Sequence, residues 1–194
     1  DVAAELLDIY AKRSARKGIK YQWEKGDYEK FENEFPYQVT EDQENAINSV
    51  LNDLASEEPM DRVICGDVGF GKTEVAMRAT LIATLNNKQV VILAPTTLLA
   101  NQHENSFKNR FKNWPIKIDL ISRFQNKKII EEVNDNIQSG ITDVVIGTHK
   151  VFSHINNFKN LGLVIIDEEH RFGVRQKEAI KKLNFLNISR EIYR

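Results

Sequence analysis

Cysteine occurs once in these 194 residues, as Cys65, and proline only four times. A single thiol excludes a disulfide scaffold, and Cys65, at the end of an apolar run, fits a reducing compartment. No apolar run approaches the roughly 18 residues of a membrane span, and the first residues lack the apolar core of a signal peptide. Net charge is nearly absent as well: 27 Lys and Arg against 28 Asp and Glu leave −1. Any nucleic-acid contact must therefore come from local patches or backbone amides rather than bulk attraction. Internal repeats and low-complexity tracts are missing. These absences point to a soluble, cytoplasmic protein with no membrane partner. What is present is an ordinary globular composition, 41% hydrophobic and 28% charged, with room for one sizeable domain and an appendage.

Hydrophobic periodicity divides the chain. Val2, Leu6, Ile9 and Arg13 recur at helical spacing and Gly18 supplies a stop, so residues 2–17 are expected to be helical. Residues 18–36 are charged, aromatic and irregular, end at Phe35-Pro36, and read as a linker. A helix follows Thr40, with Ile47, Val50, Leu51 and Leu54 on its apolar face. From Arg62 onward, apolar runs alternate with amphipathic stretches. Strands are predicted at 63–65, 90–94, 116–122, 143–147 and 163–167, with helices at about 71–86, 97–112 and 126–139. Near-continuous Val/Ile/Leu runs between helices indicate an α/β fold whose parallel sheet is covered on both faces. Such sheets hold ligands at the C-terminal ends of their strands.

The motifs sit at those ends. Gly66-Asp67-Val68-Gly69-Phe70-Gly71-Lys72-Thr73 fits the phosphate-cradling P-loop. Its glycines let the backbone curl so that amide N–H groups face the phosphates at a helix N-terminus. Lys72 is the reach toward the β/γ oxygens, and the Thr73 hydroxyl is a Mg²⁺ ligand. Glu74 continues the ATP-contacting stretch. An apolar strand runs into Asp167-Glu168-Glu169-His170. There Asp167 is expected to hold Mg²⁺ and Glu168 to polarise the attacking water as general base. His170 is placed to couple the γ-phosphate to whatever moves on hydrolysis. Taken alone, the glycines could be a turn before a helix and the acids a solvated cap; together they indicate a nucleoside triphosphate.

Other signals are weaker. Thr40-Glu-Asp-Gln43 is a capping box, and spacing favours that reading. The functional alternative has the Gln43 amide read an adenine edge while the upstream Phe35 stacks on the base. Pro95-Thr96-Thr97 and Gly147-Thr148-His149-Lys150 each follow a strand. Their threonines read first as N-caps, and alternatively as hydroxyls and first-turn amides gripping a nucleic-acid backbone without reading bases. Arg123, Lys127 and Lys128 would add local positive charge, or form a solvated face.

Taken in order, the P-loop, Pro-Thr-Thr, Gly-Thr-His and Asp-Glu-x-His resemble superfamily 2 helicases and translocases. Residues 66–76, Ala94 to His103, 147–150 and Asp167 to Val174 are most similar to the bacterial transcription-repair coupling factors. The stretch Ala4 to Arg13 resembles the helix joining that family's RNA-polymerase-binding module to its motor. The RecG branched-DNA translocases are near relatives, with Ser typical where Phe70 stands and Gln where Glu169 stands. The resemblance implies a RecA-like P-loop NTPase lobe over 35–183, preceded by a connecting helix and linker over 1–34, using ATP and Mg²⁺. It implies double-stranded DNA as partner, with RNA polymerase and excision-repair proteins engaged through domains outside this chain. It favours an adenine contact for Gln43 and DNA-backbone contacts for Thr96, Thr97, Thr148 and His149. It places the arginine finger of hydrolysis on a second lobe, so this chain is expected to hold half of an ATP site. Residues 184–194 depart from the family's pattern and read as a tail. The competing classes are another P-loop enzyme, such as a nucleotide kinase or metabolic ATPase, and a nucleotide-binding module without turnover.

Overall fold

The computed structural model describes residues 18–58, 60–64, 71–168, 171–175 and 190–193. The helix expected over residues 2–17 lies outside them, as does Cys65. Helices α1 (Lys25–Asn33) and α2 (Glu41–Ala55) precede strand β1 (Met60–Val63). Then come α3 (Lys72–Leu85), β2 (Gln89–Leu93), α4 (Thr97–Arg110), β3 (Ile118–Ile121), α5 (Lys127–Ser139) and β4 (Val144–Gly147). A 3-10 helix (His149–Asn157), β5 (Leu161–Ile166) and β6 (Arg190–Tyr193) complete the order.

Six strands form one sheet in the order β1-β6-β5-β2-β4-β3, and every pairing is parallel. Parallel strands bury both faces, and successive side chains alternate between them. Val90, Ile92, Val144, Ile146, Leu163 and Ile165 pack with α2, α3 and α4. Their neighbours Val91, Leu93, Val145, Val164 and Ile166 pack on the other side with Val133 and Ile137 of α5 and with Val151 and Ile155 of the 3-10 helix. The expected two-sided coverage is thus observed.

Register aligns the strand ends. Leu93 lies beside Gly147 on one side and Ile166 on the other. Ile121 pairs with Gly147, Tyr193 with Ile166, and Val63 with Tyr193. One row therefore crosses the whole sheet, and the chain leaves all six strands at the same edge. Each functional motif begins on that row or within three residues past it.

Two expectations change. Residues 18–36 are not irregular throughout: α1 occupies Lys25–Asn33, and Tyr21 and Phe31 are fully buried. Sequence periodicity missed α1 because it buries only Phe31 and its Glu24 cap makes no side-chain bond. Its helicity comes from packing rather than from local signals. Tyr21 is anchored further along the sheet, its hydroxyl donating to Gly162 O at 2.9 Å. The second change is β6, formed by residues from the stretch read as a tail and inserted between β1 and β5.

Close approach at the row's centre sets a packing limit. A Cβ on Gly147 would meet Ile121 O at 2.4 Å and Val151 Cγ2 at 2.6 Å, whereas one on Gly26 of α1 meets nothing within 4 Å. Gly147→Ala should destabilise the chain by about 1–3 kcal/mol through overpacking. Gly26→Ala should be neutral or stabilising by up to about 1 kcal/mol. Urea unfolding of the two variants measures both, and equal midpoints would contradict the packing assignment.

Candidate nucleotide-binding site

Helix α3 starts where the glycine-rich loop ends. Gly71 caps it in the left-handed region with φ 73°, a conformation that favours glycine. A Cβ there would also meet Gln43 Nε2 at 2.3 Å, so a larger residue would displace the end of that side chain. Lys72 and Thr73 form the first turn, where unsatisfied N–H groups and the helix dipole favour an anion. Gly66, Asp67, Val68, Gly69 and Phe70 lie outside the described residues, and so does His170.

Gln43 makes the expected capping box. Its Oε1 accepts from Thr40 N at 2.9 Å, and Thr40 Oγ1 accepts from Gln43 N at 3.3 Å. With Oε1 turned to the cap, Nε2 faces Gly71. A cavity of about 550 Å³ opens here, bordered by Phe35, Pro36, Gln43, Gly71, Thr73 and Met77. That volume lies in the range of small-molecule pockets. Phe35 is half-buried beside Tyr37, with ring centroids 5.5 Å apart at 71°.

Glu74 also borders the cavity, but its carboxylate is committed to a buried ion cluster. Oε1 accepts from Arg78 Nε at 3.0 Å and from Arg110 Nη2 at 2.8 Å, and Oε2 accepts from Arg110 Nε at 3.1 Å. Arg78 reaches on to Tyr28 at 3.1 Å and Glu32 at 2.6 Å. Arg110 donates to Phe31 O at 2.7 Å and lies 3.7 Å over the Phe31 ring. Burial by itself would lower the Arg78 pKa, yet hydrogen bonds to Tyr28 and Glu74 carry it above the ordinary arginine value. The Arg78 guanidinium stays charged, and α1, α3 and α4 are tied together at the cavity wall. No sequence motif marks this cluster, because its members come from three separate helices.

On the facing side, Asp167 and Glu168 follow β5. Asp167 is buried, and its backbone N–H donates to Leu93 O at 2.8 Å. Asp167 Oδ2 lies 2.5 Å from His103 Nε2 of α4. In the sequence pattern His103 carries no role beyond membership of the Ala94 to His103 motif. Glu168 has φ 50°, a strained setting for a residue with a Cβ and one that clusters at functional sites. Its Oε2 accepts from Arg171 at 2.8 Å.

The residues read as nucleic-acid contacts share the edge but differ in presentation. Thr96 caps α4, accepting from Leu99 N at 3.2 Å, and is exposed. Thr97 is half-buried, while His149 and Lys150 are exposed. Thr148 is buried, with 5% of its surface accessible. Arg123 is exposed with its guanidinium 4.7 Å over the Phe124 ring. Lys127 pairs with Glu131 at 3.6 Å.

Sequence comparison matches residues 40–193 to the DEAD/DEAH box helicase family. The chain belongs to that family. Among curated proteins it is 53% identical over 183 residues to the transcription-repair-coupling factor of Escherichia coli, covering 94% of this chain and 16% of the relative. The corresponding factor of Haemophilus influenzae is 52% identical over the same shares. The chain thus spans about a sixth of the length of these relatives. Among solved structures, RecG bound to a three-way DNA junction superposes with a TM-score of 0.81 at 33% identity, covering 96% of this chain and 25% of that one. The expected RecA-like lobe is borne out. Among the described residues no helix is long and apolar enough to cross a membrane.

The ion cluster yields a stability test. One nitrogen each of Arg78 and Arg110 already lacks a hydrogen-bond partner among the described residues, so Glu74 carries much of their compensation. Removing one partner of a buried charge network costs about 3–5 kcal/mol. Glu74→Ala should lower the unfolding free energy by that amount, read in urea as a lower midpoint at unchanged slope, and a loss below about 1 kcal/mol would show the cluster to be peripheral.

Proposed function

We propose that this chain is the first motor lobe of an ATP-dependent double-stranded DNA translocase of the transcription-repair-coupling type. The observation that carries the reading is the shared edge of the sheet. The P-loop follows β1 and the acidic pair follows β5, with only β6 between them. That spacing is two strand widths, roughly 10 Å, enough for a phosphate chain to lie between the loop and the carboxylates. Identity near 50% to coupling factors, against 33% to RecG, favours that branch over a branched-DNA translocase. Displacement of RNA polymerase and recruitment of excision-repair proteins then belong to domains outside this chain.

Roles follow from chemistry. Phe35, Pro36 and Met77 offer an apolar slot for a flat base, and Gln43 Nε2 a donor at its edge. Lys72 and the first-turn amides of α3 take the phosphates, together with residues 66–70. The Thr73 hydroxyl and the Asp167 carboxylate are hard oxygen donors, which suit Mg²⁺. Bound there, the ion would neutralise charge developing on the phosphates. Glu168 orients and deprotonates the attacking water, with Arg171 holding its other side. Glu74 supports the slot through Arg110 rather than through the nucleotide. Thr96, His149, Lys150 and Arg123 present the exposed edge to a DNA backbone. The buried Thr148 contributes through its position in the chain more than through an open hydroxyl.

Because a charge-assisted phosphate contact contributes about 1.5–3 kcal/mol, Lys72→Ala should weaken ATP·Mg²⁺ binding about ten- to a hundredfold. Calorimetric titration checks this, and equal affinity would remove the P-loop assignment. A lobe covering about three phosphates should bind duplex DNA without base preference, with a log–log salt slope of about −2 to −3. Fluorescence anisotropy at rising salt measures it. Marked base preference, or an unchanged slope when Thr96, Arg123, His149 and Lys150 are all replaced by Ala, would sink the DNA reading.

A further inference from the structure

Phe124 exposes 73% of its surface, and neither the core nor the nucleotide reading gives its ring a task. A single exposed apolar residue is ordinary; what sets this one apart is how it is held and what lies on it. The chain leaves β3 at Ile121, Ser122 is buried, and two bonds close the next turn. Ser122 N–H donates to Gln125 Oε1 at 2.8 Å, and Gln125 N–H donates to Ser122 O at 3.4 Å. Asn126 then caps α5, its Oδ1 accepting from Ile129 N at 2.9 Å. Arg123 and Phe124 form the exposed tip of this pinned turn.

The tip stands on the functional edge of the sheet. Ile121 pairs with Gly147, so the turn leaves β3 one strand spacing, about 5 Å, from where Thr148, His149 and Lys150 leave β4. Residues 123–128, Arg-Phe-Gln-Asn-Lys-Lys, hold three cations and no acid, a charge that suits a polyanion. The Arg123 guanidinium lies 4.7 Å over the Phe124 ring, a cation–π contact that covers one face. A ring inserted between two base pairs needs both faces, so insertion would first displace Arg123. The intact pair instead offers a cation and one open apolar face side by side. Phosphate and deoxyribose alternate along a DNA strand in the same way, whatever the sequence.

We propose that Arg123 and Phe124 act as one contact on the backbone of duplex DNA. Arg123 takes a phosphate, and the open face of Phe124 packs on the neighbouring deoxyribose. The proposal rests on the DNA reading of this edge. It adds an apolar component to an interface otherwise made of charges, hydroxyls and amides.

The test uses the whole 194-residue chain and duplexes of unrelated sequence, with fluorescence anisotropy read across a salt series. The salt slope counts neutralised phosphates, whereas loss of an apolar contact lowers affinity alike at every salt concentration. Phe124→Ala should weaken binding about three- to tenfold, the effect of burying one face of a phenyl ring, at unchanged slope and equally on every sequence. Arg123→Ala should reduce the slope by about 1. Phe124→Leu, which keeps apolar area without an aromatic face, should retain most of the affinity. A duplex carrying 2-aminopurine should show no fluorescence rise at saturation, because the bases stay stacked. A rise that Phe124→Ala abolishes would mean insertion between bases and overturns the one-sided contact. If the unsubstituted chain shows no salt-dependent duplex binding, the DNA reading falls and takes the proposal with it. If it binds with the expected slope and Phe124→Ala binds equally well, the DNA reading stands and only the role of Phe124 falls, leaving its ring to a protein partner.

Discussion

Parallel register is the constraint on which the rest of this structure depends. Val63, Tyr193, Ile166, Leu93, Gly147 and Ile121 share one row across the sheet. Because every strand runs the same way, every chain exit after that row faces the same side. Four motifs separated by up to about a hundred residues therefore reach one surface. A one-residue slip in β2, β4 or β5 would exchange the side chains on its two faces, and both faces there are packed with Val, Ile and Leu. The hydrophobic core thus holds the register, and the register holds the site.

A second layer of constraint is electrostatic. Glu74 sits one residue past Thr73 and is bonded to guanidiniums of α3 and α4, while Arg78 extends the network to Tyr28 and Glu32 of α1. Buried ion pairs contribute little net stability compared with apolar packing, yet breaking one is costly. Their effect here is geometric. The segment from Tyr21 to Glu34 cannot shift against the first turn of α3 without uncompensating a buried charge. The aromatic side of the cavity, Phe35 and Tyr37, follows directly from that anchored segment.

Several side chains serve two structures at once. Gln43 closes the cap of α2 with its oxygen and meets Gly71 with its nitrogen. Thr96 caps α4 at the exposed edge, and His103 farther along the same helix meets Asp167. The same helix therefore borders the cavity through Arg110, the acidic motif through His103, and the outer edge through Thr96. Rigid secondary structure is a better platform for such positioning than a loop.

Much of this was readable from sequence because its causes are local. Apolar runs of 4–6 residues between amphipathic stretches define buried parallel strands, and the observed β2, β4 and β5 fall within two residues of the expected bounds. The Thr40–Gln43 cap is a three-residue pattern, and the P-loop and acidic motifs are contiguous. Strand order, the insertion of β6, the helicity of 25–33, the commitment of Glu74, the burial of Thr148 and the bond from His103 to Asp167 were decided only by tertiary structure. Each depends on residues distant in sequence meeting in space, and no period, spacing or composition within a window encodes such a meeting. Sequence determined most of the elements and the chemistry they carry. Packing decided which carboxylate meets a histidine and which an arginine.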